Sequence, residues 1–165
     1  MTYILSNHEY TDTVLKDILP VVMDANDDRV NCSGLCLVEK ASQHEIVGSL
    51  PFENNPPVIG GFNRLQSKTE TTTVLLARRF NVSFQTNRFV FEPFEYPAPL
   101  LVVGRYGKGR VCVFATDVAP HWVGGLVDWG NNRLKTQALG AEPIEVGSWY
   151  AKLLANMINW TIGSL

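Results

Sequence analysis

Long apolar runs, a surplus of basic charge and paired cysteines are what this chain lacks. No apolar stretch approaches the roughly 20 residues that a helical membrane span needs, so no membrane partner is expected. Lys and Arg number 14 against 16 Asp and Glu, a net charge of -2. No surplus is left to neutralise phosphates, which argues against a nucleic-acid partner. The N-terminus, MTYILSNHEY, has no basic patch followed by an apolar stretch, so no secretory signal is read there. The three cysteines are an odd number without a paired zinc framework, and reduced cytosolic thiols are the simplest reading. There is no internal repeat. What is present is 165 residues, 45% apolar and 18% charged, enough for one globular domain with a buried core.

Pro99 to Trp122, PLLVVGRYGKGRVCVFATDVAPHW, is the most informative stretch. Leu100–Val103 and Val111–Ala115 are short, β-favouring apolar runs. Between them Gly107 and Gly109 flank Lys108 and suit a tight reversal. Asp117, His121 and Trp122 follow the second run, in the region past a strand's carboxyl end where open α/β sheets place ligands.

Along the rest of the chain, the first dozen residues read as a polar loop. Thr13 is a candidate cap for Val14–Leu19, and Pro20–Met23 for a short strand. Asn26, Asp27 and Asp28 mark a turn, and Asn31–Glu39 alternates like a strand. Gln43–Leu50 is a small helix or turn stopping at Pro51, and Val58–Leu65 bends at its glycines. Thr71–Ala77 is β-prone, and Phe80–Phe84 pairs with Arg88–Phe91 through Gln85–Asn87. Residues 123–147 read as a mobile surface loop of functional length. Ser148 is a candidate N-cap for a closing helix whose apolar face holds Tyr150, Leu153, Leu154, Met157 and Ile158, with Gly163 as its stop.

GRYGKGRV, the following strand, the TD pair and APHW resemble the C-terminal part of the glutamine amidotransferase-like family of bacterial cytoplasmic proteins, within the class I glutamine amidotransferase-like superfamily. ILPVVMDANDDRV (Ile18–Val30), His44–Pro51, VIGGFNR (Val58–Arg64) and Trp149–Trp160 are similar to further segments of that family, in the same order. The resemblance implies a three-layer α/β, flavodoxin-like fold with a mixed sheet. It further implies that the first βαβ units are lacking, that the protein is cytoplasmic, and that sticky sheet edges favour a homo-oligomer.

The expected site follows. Asp117 can fix the tautomer of His121 for general-base work, and Trp122 can wall the crevice. Equally, Asp117 can cap a turn while His121 bonds a backbone carbonyl beneath Trp122. Asn63 and Arg64, from the glycine-aromatic-asparagine segment, join Trp122 as binding candidates. The resemblance implies a nucleophilic cysteine on a glycine-flanked elbow, yet no G-x-C-x-G occurs. Cys32 lies in VNCSG, Cys36 has Gly34 before it but Val38 after, and Cys112 lies within a strand run. Asp27, Asp28 and Arg29 read as a solvated turn with a local ion pair. His44 with Glu45, and His8 with Glu9, make no metal site. Arg105, Lys108 and Arg110 form a basic hairpin tip that can meet a small anion but reads more simply as solvated. No cofactor and no metal are expected; a small-molecule ligand is compatible. The reading is a binding or assembly domain without glutaminase activity, the alternative being an amidotransferase or hydrolase whose nucleophile comes from another chain or an upstream segment.

Overall fold

The computed structural model describes residues 13–24, 27–118 and 121–165. The expected N-terminal loop with His8 and Glu9, Asn26 of the polar turn, and the Ala119–Pro120 step of the APHW run lie outside them.

The largest sheet uses the apolar runs anticipated from sequence. Its order is β3 (Cys36–Lys40), β6 (Thr72–Gln85), β8 (Ala98–Tyr106) and β9 (Gly109–Phe114), with β7 (Arg88–Pro93) paired to the far half of β6. Leu100 to Val103 of β8 are buried in succession, so both faces of this strand are covered. Its hairpin to β9 turns on Gly107 and Lys108, with Gly107 at φ 57°. The β6–β7 hairpin turns on Thr86 (φ 50°) and Asn87 (φ 60°), the two left-handed positions of a type I′ turn.

Three two-stranded ribbons complete the sheet structure: β1 (Val21–Met23) with β5 (Leu65–Ser67), β2 (Arg29–Asn31) with β4 (Gly61–Asn63), and β10 (Arg133–Thr136) with β11 (Ile144–Gly147). Every strand pairing among the described residues is antiparallel. The molecule is therefore a sheet-rich α/β fold with a C-terminal helix, and the parallel strands of a doubly wound core are not among the described residues. The single strand expected over Asn31–Glu39 is broken into β2 and β3. Gly34 causes the break by lying so close to β6 that a Cβ would sit 2.7 Å from the Phe80 carbonyl oxygen. At the chain's start, the short helix α1 (Leu15–Ile18) takes a hydrogen bond from the Leu15 amide to the Thr13 hydroxyl (3.3 Å).

Residues 123–147 are not the irregular loop that their glycines and asparagines suggested. They hold a 3-10 turn at Gly124–Leu126 and the β10–β11 ribbon. Leu126 and Trp129 are buried, and the Trp129 indole donates to the Asn55 carbonyl (2.7 Å). Two apolar anchors outweigh the flexible residues around them. The same segment starts the closing helix α2 (Ser148–Ile162), whose N-cap is Gly147 and not Ser148. The orphan amides of Trp149 and Tyr150 both donate to the Trp129 carbonyl (3.1 Å), and that of Ser148 to Asn132 (2.8 Å). Backbone carbonyls thus do what the serine side chain was expected to do. The buried stripe of α2 is Tyr150, Leu153 and Trp160, flanked by partly buried Leu154 and Met157, whereas Ile158 is exposed. Gly163 ends the helix at φ 82°.

Candidate functional site

The polar cluster beyond β9 is built on the small β2–β4 ribbon. Thr116 donates its hydroxyl to the Gly61 carbonyl (2.8 Å), and Asn63 donates its amide to the Ala115 carbonyl (2.7 Å). These bonds fix the chain as it leaves the sheet. Asp117 is buried there and accepts a hydrogen bond from the Trp122 amide (3.2 Å). The same carboxylate oxygen lies 3.7 Å from His121 Nδ1, and the two side chains are 9% and 71% exposed respectively. The imidazole and carboxylate are therefore side by side, with the carboxylate inside and the imidazole open to solvent. One oxygen caps the turn at the Trp122 amide and has the imidazole as a neighbour beyond hydrogen-bond distance.

Trp122 is buried. Its indole donates to Asn31 (2.8 Å), its carbonyl accepts from the Gly60 amide (2.7 Å), and its ring covers Gly61 so closely that a Cβ there would lie 2.6 Å from it. An indole spent in this way locks the His121 turn to β4; its own surface is not free to wall a crevice. Asn63 and Arg64 turn to another cluster. Asn63 donates its side-chain amide to Asp28 (2.9 Å), and Arg64 reaches the Asp27 carbonyl (3.3 Å). Of the five sequence-chosen site residues, the structure joins Asp117, His121 and Trp122 and sets Asn63 and Arg64 around the acidic turn instead.

That turn is only partly solvated. Asp27 and Arg29 make the expected exposed ion pair (2.9 Å), and the guanidinium holds the Asp27 carboxyl below its ordinary value. Asp28 is buried against Asn63, a role that the sequence reading missed. At the opposite hairpin, Arg110 is not a loose tip cation: it donates to the carbonyls of Trp160 (2.9 Å) and Leu165 (3.0 Å), tying the end of the chain to β9. His44 packs edge-on against Trp160 at 5.2 Å and accepts the Ile46 amide at Nδ1 (3.3 Å). Burial pushes its imidazole below the ordinary histidine value. His44, Lys68, Arg105 and Trp160 contribute to a cleft of about 470 Å³.

Two of the three thiols lie at the ends of one short turn. Cys32 is half-buried and Cys36 buried. The Cys36 thiol donates to the Cys32 sulfur, lowering the Cys32 thiol and raising its own. Cys112 stands apart, and burial pushes it up to about 12.

Residues 1–141 match the family described as "Putative glutamine amidotransferase", and the chain belongs to that family. Among solved structures it is similar to Cytoplasmic Protein STM3548 from Salmonella typhimurium, with 25% identity and a TM-score of 0.64, covering 93% of this chain and 47% of that one. It is also similar to Cytoplasmic Protein STM1381 from Salmonella typhimurium LT2, with 34% identity and a TM-score of 0.52, covering 70% of this chain and 39% of that one. The chain thus spans less than half the length of these structures. No curated protein matches. Among the described residues, no helix is long and apolar enough to cross a membrane.

Proposed function

We propose that this chain is a cytoplasmic binding and assembly element of its family that self-associates and does not itself hydrolyse glutamine. The observation that carries the reading is the outer face of the β6–β7 ribbon. Val82 pairs with Phe91 and Phe84 with Phe89 across the two strands. Cross-strand partners share a face, and Phe84, Phe89 and Phe91 remain 63%, 66% and 52% exposed. Large exposed apolar faces on soluble proteins mark interaction surfaces. A two-fold axis would set one such face on its copy, a self-complementary arrangement. The commitment of Asp117 to the Trp122 amide supports the same reading, because the carboxylate already serves a structural bond. A small-molecule ligand would find basic groups and an aromatic ring together in the cleft lined by His44, Lys68, Arg105 and Trp160.

A second reading is favoured by one observation, the 3.7 Å approach of His121 to Asp117 with the imidazole exposed. A nucleophile from another chain or from an upstream segment would complete an amidotransferase or hydrolase site there. Glutamine turnover separates the two. The binding reading expects no ammonia release by the purified chain. Ammonia release that disappears in a folded His121→Ala variant would establish the catalytic reading instead.

A further inference from the structure

The turn from Cys32 to Cys36 carries a cysteine at each end and lies beside Arg79. Its two ends are pinned to adjacent residues of one segment: the Cys32 amide donates to the Gly60 carbonyl (2.9 Å), and the Cys36 carbonyl accepts from the Ile59 amide (3.0 Å). The Phe80 amide donates to the Leu35 carbonyl (2.8 Å), fastening the turn to β6. The backbone therefore sets Cys32 and Cys36 at the two ends of one short turn, pinned to neighbouring residues, with Cys36 opposite Arg79 in the β3–β6 register. Cys32 lines a cleft of about 200 Å³ together with Ser33, Arg79 and Phe94. Arg79 stands over the Phe94 ring at 4.2 Å, a contact that keeps its guanidinium at the cleft wall.

We propose that Cys32 and Cys36 form a reversible dithiol–disulfide couple that is oxidised by small hydroperoxides reaching Cys32 through this cleft. Half-exposed thiolates beside a cation are the reactive kind, whereas the buried partner is protected. The Cys32 thiolate attacks the peroxide oxygen, the O–O bond breaks, and Cys32 becomes a sulfenic acid as the first hydroxide leaves and is protonated to water. Cys36 keeps its proton while a negative sulfur lies beside it. Oxidation removes that charge, and the Cys36 sulfur then forms the S–S bond as the sulfenic oxygen leaves as the second water. Two thiols lose two electrons and two protons, and hydrogen peroxide is reduced to two waters. A thiol reductant reverses the couple.

The full chain treated with hydrogen peroxide tests this by peptide mapping and mass. The wild type is expected to lose about 2 Da, with a Cys32–Cys36 linkage and a free Cys112, and to recover on addition of dithiothreitol. Cys36→Ser is expected to stop at a sulfenic acid on Cys32 that dimedone captures. Arg79→Gln is expected to slow the oxidation several-fold. Three free thiols after peroxide, a linkage that uses Cys112, or a sulfinic acid on Cys32 without a disulfide would each overturn the assignment. Mapping the wild type reads all three, so the test does not depend on any variant folding.

Discussion

The two halves of β6 follow one strand period into opposite environments. In the first half Val74 and Leu75 are fully buried, on a strand flanked by β3 and β8. In the second half Val82 and Phe84 pair only with β7 and face outward. Composition does not separate the halves, since both are rich in large apolar residues. What separates them is the number of neighbours. A central strand between two partners is part of a core, whereas a lone two-stranded ribbon has one face with nothing against it. An apolar residue is thus evidence of core only where a second layer exists to meet it.

Truncating one side chain in each region separates the two environments by their cost. Leu153→Ala removes a fully buried side chain from the helix that packs on β9. It is expected to cost about 2–5 kcal/mol in a denaturant titration. Phe84→Ala on the ribbon is expected to leave the stability of the monomer within about 0.5 kcal/mol. Equal losses would show that the ribbon belongs to the core after all. Next in size is Gly61→Ala, which drives a methyl group into the Trp122 indole. A loss of about 1–3 kcal/mol is expected by thermal melting.

The polar cluster divides in the same way, into an inside and an outside partner. Asp117→Ala deprives the Trp122 amide of its acceptor and is expected to cost about 1–2 kcal/mol. His121→Ala removes an exposed ring and is expected to cost less than about 0.5 kcal/mol. Measured stabilities in the reverse order would contradict the assignment of Asp117 as the structural member of the pair.

The smallest expected effect is a pH slope. Burial against Trp160 lowers the His44 imidazole, so near its ordinary value the folded chain binds fewer protons than the unfolded chain. Stability then rises with pH through the range just below about 6.5, and it falls again on acidification. In unfolding titrations across that range, His44→Asn is expected to flatten the slope relative to the wild type. An unchanged slope would mean that the histidine ring is hydrated in the folded state.

Much of this was legible before the structure. Short β-favouring runs on either side of a polar turn located both long hairpins, the β8–β9 turn through its glycines and the β6–β7 turn through Gln85–Asn87, because strand propensity and turn chemistry are local properties. Gly163 and the apolar repeat located α2 for the same reason. The N-cap was misplaced because Trp129, nineteen residues before Ser148, supplies the capping carbonyl, and sequence spacing carries no trace of such a contact. The same distant contact turned an apparent loop into a folded segment. At the site, the proximity of Asp117 and His121 was readable from their separation of four residues, and the assignment of Trp122 as a free wall was not. Its burial comes from Gly61, sixty-one residues earlier, whose missing side chain makes room for the indole. A glycine followed by an aromatic residue in VIGGFNR was the available signal, though nothing local named its partner. The burial of Asp28 was likewise hidden, since it depends on Asn63 from another strand of the small ribbon.

The central claim is that the aromatic face of the β6–β7 ribbon joins copies of this chain. Light scattering coupled to gel filtration tests it most directly, comparing the wild type with a variant carrying Phe84→Asp and Phe89→Asp. The wild type is expected to assemble, and the variant to be folded and monomeric with an unshifted melting temperature when each is measured as a monomer. A wild type that runs as a monomer across the micromolar range, or a variant that assembles as the wild type does, would contradict it.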